Sequence, residues 1–307
     1  LHDENDSLAA SIEEYKKKAF RQTGKEEEIP KVTLQQLERW EVIQNIDNKL
    51  RPTHAFQLLT DNQYPFAKIQ CGLFKGTTRS IFLDKREFAG AIYKQIEEAY
   101  QFVLKHINFG AEIDGVLRQD VYELPLVSIR ESISNAVTHR NYMDPSCIQV
   151  MVFDDRLEVT SPGMLYGGLT VELIKTGKSK IRNKAIAEVF AQMGIIEAWG
   201  TGIQRIIDSC LKMNIKEPLF EELGDSFRVT IFRPTQQKKT PIGKTITTNE
   251  EIVINEMAIK KFLSRAEIEH VTKLSKTAAY NLINSMIAKG LIKKKGKGIA
   301  THYVLSD

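Results

Sequence analysis

Residues 126–142 read LVSIRESISNAVTHRNY, and the reading of this stretch decides the fold of the chain. Leu126, Ile129, Ile133, Ala136 and Val137 follow the three-and-four spacing of a helix packed on a core. Pro125 suits its first turn, where a missing N–H costs nothing. Glu131 and Asn135 lie four apart and share one face, and His139 and Arg140 extend that face toward the C-terminal end. A carboxylate, a carboxamide and an imidazole on one line suggest a site. Spacing alone fits equally well a half-exposed helix whose polar residues are simply solvated.

The surrounding pattern carries more. Upstream, Ser7–Phe20 and Thr33–Asp47 read as helices, the second opened by a capping box of Thr33 with Gln36, and Glu26, Glu27 and Glu28 form a solvated acidic run between them. Ala67–Phe74 alternates as a strand, Gly76 marks a turn, and Arg79–Leu83 reads as the next strand. Arg86–Ile107 reads as a long amphipathic helix, and Asn108–Tyr122 as a short hairpin or an extended lead-in. Downstream, Cys147–Phe153 alternates, Asp154–Arg156 turn tightly, and Leu157–Thr160 returns. Ser161, Pro162 and Gly163 then open a glycine-bearing stretch with Lys175, Lys178, Lys180 and Arg182. Asn183–Met193 is helical and ended by Gly194. The sequence IIEAWGTG follows at 195–202, then a helix from Ile203 and a strand at Phe227–Phe232.

The segments YPFAKIQCGLFKG (64–76), RESISNAVTHRNY (130–142), FDDRLEVTSPGML (153–165) and RNKAIAEVFAQMGIIEAWGTGIQRI (182–206) carry a family resemblance. Residues 126–234 resemble the GHKL ATPase fold shared by gyrase, the MutL mismatch-repair protein, histidine kinases and the large heat-shock chaperone. Across about residues 50–234 they look like the divergent branch named for a RecG-related, ATP-dependent DNA helicase C-terminal domain. That branch often stands behind a Schlafen-type, Alba-like domain in bacterial and archaeal transcriptional regulators. The sequence contains no GxxxxGK[ST] phosphate loop, so the resemblance does not imply a Walker-type helicase motor.

The resemblance implies a nucleotide site, with ATP and Mg²⁺ as the expected cofactors. Glu131 takes the place of the carboxylate that orients or deprotonates the attacking water, and Asn135 that of the magnesium-binding amide. Ser161 stands where an aspartate reading the adenine amino group is expected, followed by Gly163. A hydroxyl is shorter and uncharged, which argues against an active ATPase. Gly200 and Gly202 would offer backbone N–H groups and a positive helix end to phosphates; a tight turn explains them equally well. Lys175, Lys178, Lys180 and Arg182 would lie on the lid of such a site, or in a solvated loop.

After Thr235 the chain has 13 Lys and Arg against 6 Asp and Glu, a net +7, whereas the preceding 235 residues carry 30 against 33, a net −3. Basic charge concentrated in one piece suits contact with a polyanion. Residues 235–247 read as a polar linker. Asn249–Ile259, Ser264–Val271 and Ser275–Lys289 read as three helices, the last capped by Ser275 and closed by Gly290, before a two-stranded wing at Leu291–Leu305. This order resembles a winged helix-turn-helix. Ala279, Leu282, Ile283 and Met286 would face the core. Lys276, Thr277, Tyr280, Asn281 and Asn284 would line a face suited to the major groove of double-stranded DNA, with Lys293, Lys294, Lys295 and Lys297 on the wing against phosphates. A protein-binding winged domain with a solvated lysine wing fits the same pattern.

With 42% hydrophobic and 27% charged residues the composition is ordinary, and no run of about 18 apolar residues suggests a membrane span. Cys71, Cys147 and Cys210 are far apart and odd in number, which speaks against a disulfide framework and for a reducing, cytoplasmic setting. The first methionine is Met143, so Leu1 is not expected to be a natural initiation site, and a preceding segment of the gene product is expected.

The expected fold class is α+β: a mixed sheet with helices on one face, plus a C-terminal winged helix-turn-helix domain. The expected organisation is a helical lead-in at 1–50, an α+β connecting segment at 51–125, a GHKL-like domain at 126–234, the linker, and a DNA-binding domain at 248–307. The function this implies is a dimeric DNA-binding transcriptional regulator with a degenerate nucleotide site. The alternatives are an ATP-hydrolysing enzyme acting on DNA and an ATPase fold serving as an interaction scaffold.

Overall fold

The computed structural model describes residues 2–22, 31–60, 64–114, 117–197, 200–234, 248–296 and 301–306. The chain divides into two compact units, Leu1–Thr235 and Gln236–Asp307. The first unit runs α1 (His2–Gln22), α2 (Leu34–Arg39), β1 (Ile43–Ile46), β2 (Lys49–Pro52), α3 (His54–Leu59), β3 (Ile69–Phe74) and β4 (Phe82–Phe88). It continues with α4 (Ile92–His106), β5 (Phe109–Asp114), β6 (Leu117–Tyr122), α5 (Leu126–His139), β7 (Ile148–Val152), β8 (Arg156–Pro162), α6 (Val171–Lys175), α7 (Lys184–Gln192), α8 (Gly202–Lys212), β9 (Leu219–Leu223) and β10 (Ser226–Phe232).

Six strands form one mixed sheet in the order β4-β3-β7-β8-β10-β9. Only β3 and β7 are parallel; the other pairs are antiparallel. The sheet therefore crosses the boundary expected near residue 125, because β3 and β4 come from before it. On one face Val150, Val152, Leu157, Val159 and Ile231 pack into a core shared with α4, α5, α7 and α8. On the other face Phe74, Met151 and Phe153 form a small cluster. Beside that cluster the buried Glu158 accepts from Arg156 at 2.7 Å and from Arg79 at 3.1 Å. Burial works to raise its pKa, but these bonds hold the carboxyl below the usual range.

Helix α5 is more deeply buried than a surface amphipathic helix. Ile129, Ile133, Ala136 and Val137 are in the core as their spacing predicts, whereas Leu126 is exposed. Ser128, Ser132, Ser134 and Thr138 are buried as well, so polar as well as apolar side chains of α5 are withdrawn from solvent. Small hydroxyl side chains permit close approach: Ser128 Oγ donates to the Ile206 carbonyl of α8 at 3.0 Å, and Thr138 Oγ1 to Ser134 O at 2.8 Å.

Arg140 closes α5 and is 1% exposed. Its guanidinium donates to the carbonyls of Phe66 at 3.2 Å, Asp144 at 3.0 Å and Ser146. The Phe66 and Tyr142 rings lie within 5.5 Å and 5.0 Å of it. Asn183 adds two bonds of 2.8 Å to the Thr138 and Arg140 carbonyls, so the orphan carbonyls at the helix end are satisfied from outside the helix.

Several expectations are corrected. The helix expected over 33–47 ends at Arg39, although its capping box of Thr33 and Gln36 is present. Residues 43–52 instead form the β1–β2 hairpin, turned by Asp47 and Asn48 with φ of 53° and 58°. Two adjacent left-handed residues, which Asp and Asn tolerate, match the twist of a two-residue hairpin. The helix expected from Arg86 begins only at Ile92, and the strand expected at 79–83 is β4, starting at Phe82. Residues 82–88 pair with β3, and sheet pairing overrides the helical spacing of Phe88 with Ile92. Phe109–Asp114 and Leu117–Tyr122 pair as an antiparallel hairpin, and α6 and β9 carried no clear signal. The acidic run 26–28 and the expected linker 235–247 lie outside the described residues.

The second unit comprises α9 (Thr248–Lys260), α10 (Arg265–Thr272), α11 (Lys276–Ala288), β11 (Ile292–Lys295) and β12 (His302–Leu305). The two strands pair antiparallel, and Leu263 bridges to Tyr303. Val253, Met257, Ile268, Ile283, Met286 and Tyr303 are in its core. Ser264 and Glu267 form a capping box on α10, and Ser275 caps α11. The buried Glu250 of α9 accepts from Lys289 Nζ at 2.8 Å, tying α9 to the end of α11.

Replacing Arg140 by Ala leaves three part-buried carbonyls without their guanidinium donor. The expected loss is roughly 3 kcal/mol of stability of the first unit, read by chemical denaturation.

Candidate functional site

Glu131, Asn135 and His139 stand one turn apart on α5, and all three line a cavity of about 310 Å³. That volume lies at the lower end of the range for small-molecule sites. Val159 and Ser161 of β8 and Phe227 and Val229 of β10 form its floor, the 163–182 segment and α7 its far side, and the start of α8 its end. The periodicity of α5 found its polar line. The apolar floor from β10, together with Tyr166, Lys184 and Glu188, carried no local signal.

The Glu131 carboxylate is 9% exposed and accepts from Asn135 Nδ2 at 3.2 Å. Burial pushes its pKa up against the pull of the Arg205 charge. Arg205 itself pairs with Glu197 at 2.7 Å. Gly202, the first residue of α8, lies against the carboxylate: a Cβ there would stand 2.1 Å from Glu131 Oε1 and 3.2 Å from Asn135 Nδ2. A side chain at this position would collide with the acid, which is a sharper reason for glycine than turn formation. Gly200 also lines the cavity.

Ser161 is buried, and its hydroxyl donates to the Ala136 carbonyl of α5 at 2.8 Å. Its one proton is committed to holding β8 against α5, so only its lone pairs face a ligand. Gly163, at φ 103°, follows at the cavity edge, where a Cβ would lie 2.8 Å from Asn141 Cβ.

His139 is largely buried. Burial and the neighbouring Arg182 charge lower its pKa, which favours the neutral imidazole. Lys178, Lys180 and Arg182 line the cavity, and the last two donate to the loop carbonyls of Gly167 and Met164. Lys175 is not part of the lining and pairs with Glu217 at 2.7 Å. Arg140, expected to extend the polar face, turns instead to the carbonyls described above. Among the described residues no group of three or more His, Cys, Asp and Glu is arranged to hold a metal ion, and no helix is long and apolar enough to cross a membrane.

In the second unit Ala279, Ile283 and Met286 are buried, and Leu282 packs against them partly buried. Lys276, Thr277, Tyr280, Asn281 and Asn284 are exposed together on α11, and Lys293, Lys294 and Lys295 are exposed on β11. Lys297 lies outside the described residues.

Two substitutions test this geometry. Gly202→Ala is expected to displace the Glu131 carboxylate and cost about 1–3 kcal/mol, read as a lower denaturation midpoint. For Glu131→Gln the sign is opposite. An acid whose folded pKa is raised destabilises the fold at high pH, and this penalty vanishes as pH falls from above the folded pKa to below the ordinary glutamate value. The Gln variant is therefore expected to be more stable than the parent at pH 7–8 and equal to it near pH 3.5, read by denaturation midpoints across that series.

Comparison with known proteins agrees with this architecture. Residues 146–231, which carry β7 to β10, match the family model described as "Putative ATP-dependent DNA helicase recG C-terminal". That segment is thus similar to a helicase-related, ATPase-like domain, and α5 with Glu131 and Asn135 lies just upstream of it. No curated protein matches the sequence. Among solved structures, the DIP2311 protein from Corynebacterium diphtheriae is similar in fold, with a TM-score of 0.58 and 18% identity over 96% of this chain. The chain spans 61% of the length of that protein.

Proposed function

We propose that this chain is a cytoplasmic, DNA-binding transcriptional regulator. In this reading the first unit keeps a degenerate GHKL-like nucleotide site, and the second is a winged helix-turn-helix module that binds double-stranded DNA as part of a homodimer. The observation that carries the nucleotide part is the Glu131–Asn135 pair, packed against Gly202 at the end of a cavity with Lys178, Lys180 and Arg182 along one side. Cations beside a cavity suit phosphates, and the first turn of α8 adds backbone N–H groups that have no partner within the helix. The DNA part rests on the exposed polar face of α11 beside the lysines of β11, in the unit that carries the chain's basic excess.

The residues fit a nucleotide and Mg²⁺ in one respect and depart in another. The Asn135 amide nitrogen is committed to Glu131, which leaves its oxygen for a cation. With no cage of carboxylates among the described residues, Mg²⁺ would complete its shell from phosphate oxygens and water, and would neutralise phosphate charge there. Ser161 departs, because a hydroxyl is shorter than a carboxylate and uncharged; with its proton given to Ala136, only its lone pairs remain to accept from an adenine amino group.

A second reading, an ATP-hydrolysing enzyme acting on DNA, is favoured by one observation. The Glu131 carboxyl, raised by burial, has the character of a general base beside the cavity. It requires Mg²⁺-dependent hydrolysis that Glu131→Ala abolishes. In the third reading, an interaction scaffold, the site is unused.

Calorimetric titration with ATP and Mg²⁺ separates these readings. The regulator reading expects binding that Asn135→Ala weakens about 10-fold or more, without turnover; no heat at millimolar nucleotide leaves the scaffold reading and a simple regulator that binds no nucleotide. A bound nucleotide alters operator affinity only by binding two states differently, so equal operator affinity with and without ATP removes that coupling. Replacing Lys293, Lys294 and Lys295 by Ala is expected to weaken binding to all duplexes alike. It should also lower the slope of log K against log salt by about 1 for each phosphate that a lysine no longer neutralises, read by fluorescence anisotropy.

A further inference from the structure

The exposed face of α11 also carries information about which base pairs it suits. This step rests on the DNA-binding reading above and concerns sequence preference alone. Thr277, Tyr280, Asn281 and Asn284 form one exposed stripe along the helix, opposite the buried Ala279, Ile283 and Met286. The last lies seven positions beyond the first. At about 1.5 Å per residue this stripe spans roughly 10 Å, or about three base-pair steps of duplex.

The chemistry of the stripe is one-sided. A carboxamide matches the N6 and N7 atoms of adenine with a donor and an acceptor, and a threonine methyl packs on the thymine methyl. Guanine, by contrast, is read mainly by the fork of an arginine, or by lysine, donating to O6 and N7. The unit contains one arginine, Arg265, which lies on α10 and pairs with Glu269 at 3.1 Å. The cation on the stripe's side, Lys276, is the first residue of α11, directly after the Ser275 cap, where a helix end meets backbone phosphate. Lys289, at the other end, is held by Glu250.

We propose that α11 prefers half-sites rich in A·T pairs. Asn281 and Asn284 each take the major-groove edge of an adenine, and Thr277 takes a thymine methyl, within about four consecutive base pairs. The lysines of α11 and β11 then supply affinity that is indifferent to sequence.

The test is selection of bound duplexes from a randomised pool by the full chain, followed by sequencing. The expected result is enrichment of A·T at two or more of four adjacent positions, with each A·T to G·C change weakening binding about 10-fold. Asn281→Ala and Asn284→Ala are each expected to flatten the preference at a different position. Both should keep the parent's denaturation midpoint, since both side chains are exposed, and that measurement checks folding separately from binding. Enrichment of G·C at these positions, or a preference unchanged in both variants, overturns the inference and leaves the DNA-binding reading standing. Failure to bind any duplex sinks that reading and the inference with it.

Discussion

The approach of Gly202 to the Glu131 carboxylate is the constraint on which the candidate site depends. Any side chain at the first position of α8 would meet the acid, so the carboxylate keeps its place beside α8 because that helix offers no Cβ there. The contact between α5 and α8 is sustained by hydroxyl groups: Ser128 reaches the Ile206 carbonyl and lies 2.6 Å from Ser209 Oγ. Small residues bring the two helices together, and the closeness keeps water from the acid and raises its pKa.

The sheet supplies the rigidity behind this contact. Its helix-covered face is aliphatic, and its other face is closed by a stack of Phe74 on Phe153, with ring centroids 4.9 Å apart, and by the arginine cluster around Glu158. Ser161 then uses its hydroxyl to lock β8 onto α5. Arg140 and Asn183 pin the other end of α5 to the chain on either side of it. Glu131, Asn135 and His139 therefore project from a helix held along its length, which is what a positioned site requires.

How much of this was legible followed the range of the interactions. Helix α5, the β7–β8 hairpin, the Thr33 and Ser275 caps and the two faces of α11 are set by neighbours within a few residues, and sequence periodicity found them. The helices expected through 43–47 and from Arg86 were misread. There, local spacing suited a helix, while a left-handed Asp47–Asn48 turn and pairing with β3 decided for strands. Glu131 and Asn135 were identified from their common helix face. The partners that give them their character, Gly202 and Arg205, come from a distant helix.

The sequence by itself determined the residue types on one face of α5, the apolar alternation of the sheet strands and the basic excess after Thr235, because each is a property of composition or short-range order. Only the tertiary structure decided that Ser161 gives its proton to Ala136, that Lys175 leaves the cavity for Glu217, and that Arg140 serves backbone carbonyls instead of the site. Those outcomes depend on which distant groups reach the same place, and a buried polar atom takes whichever partner the packing brings within hydrogen-bond distance.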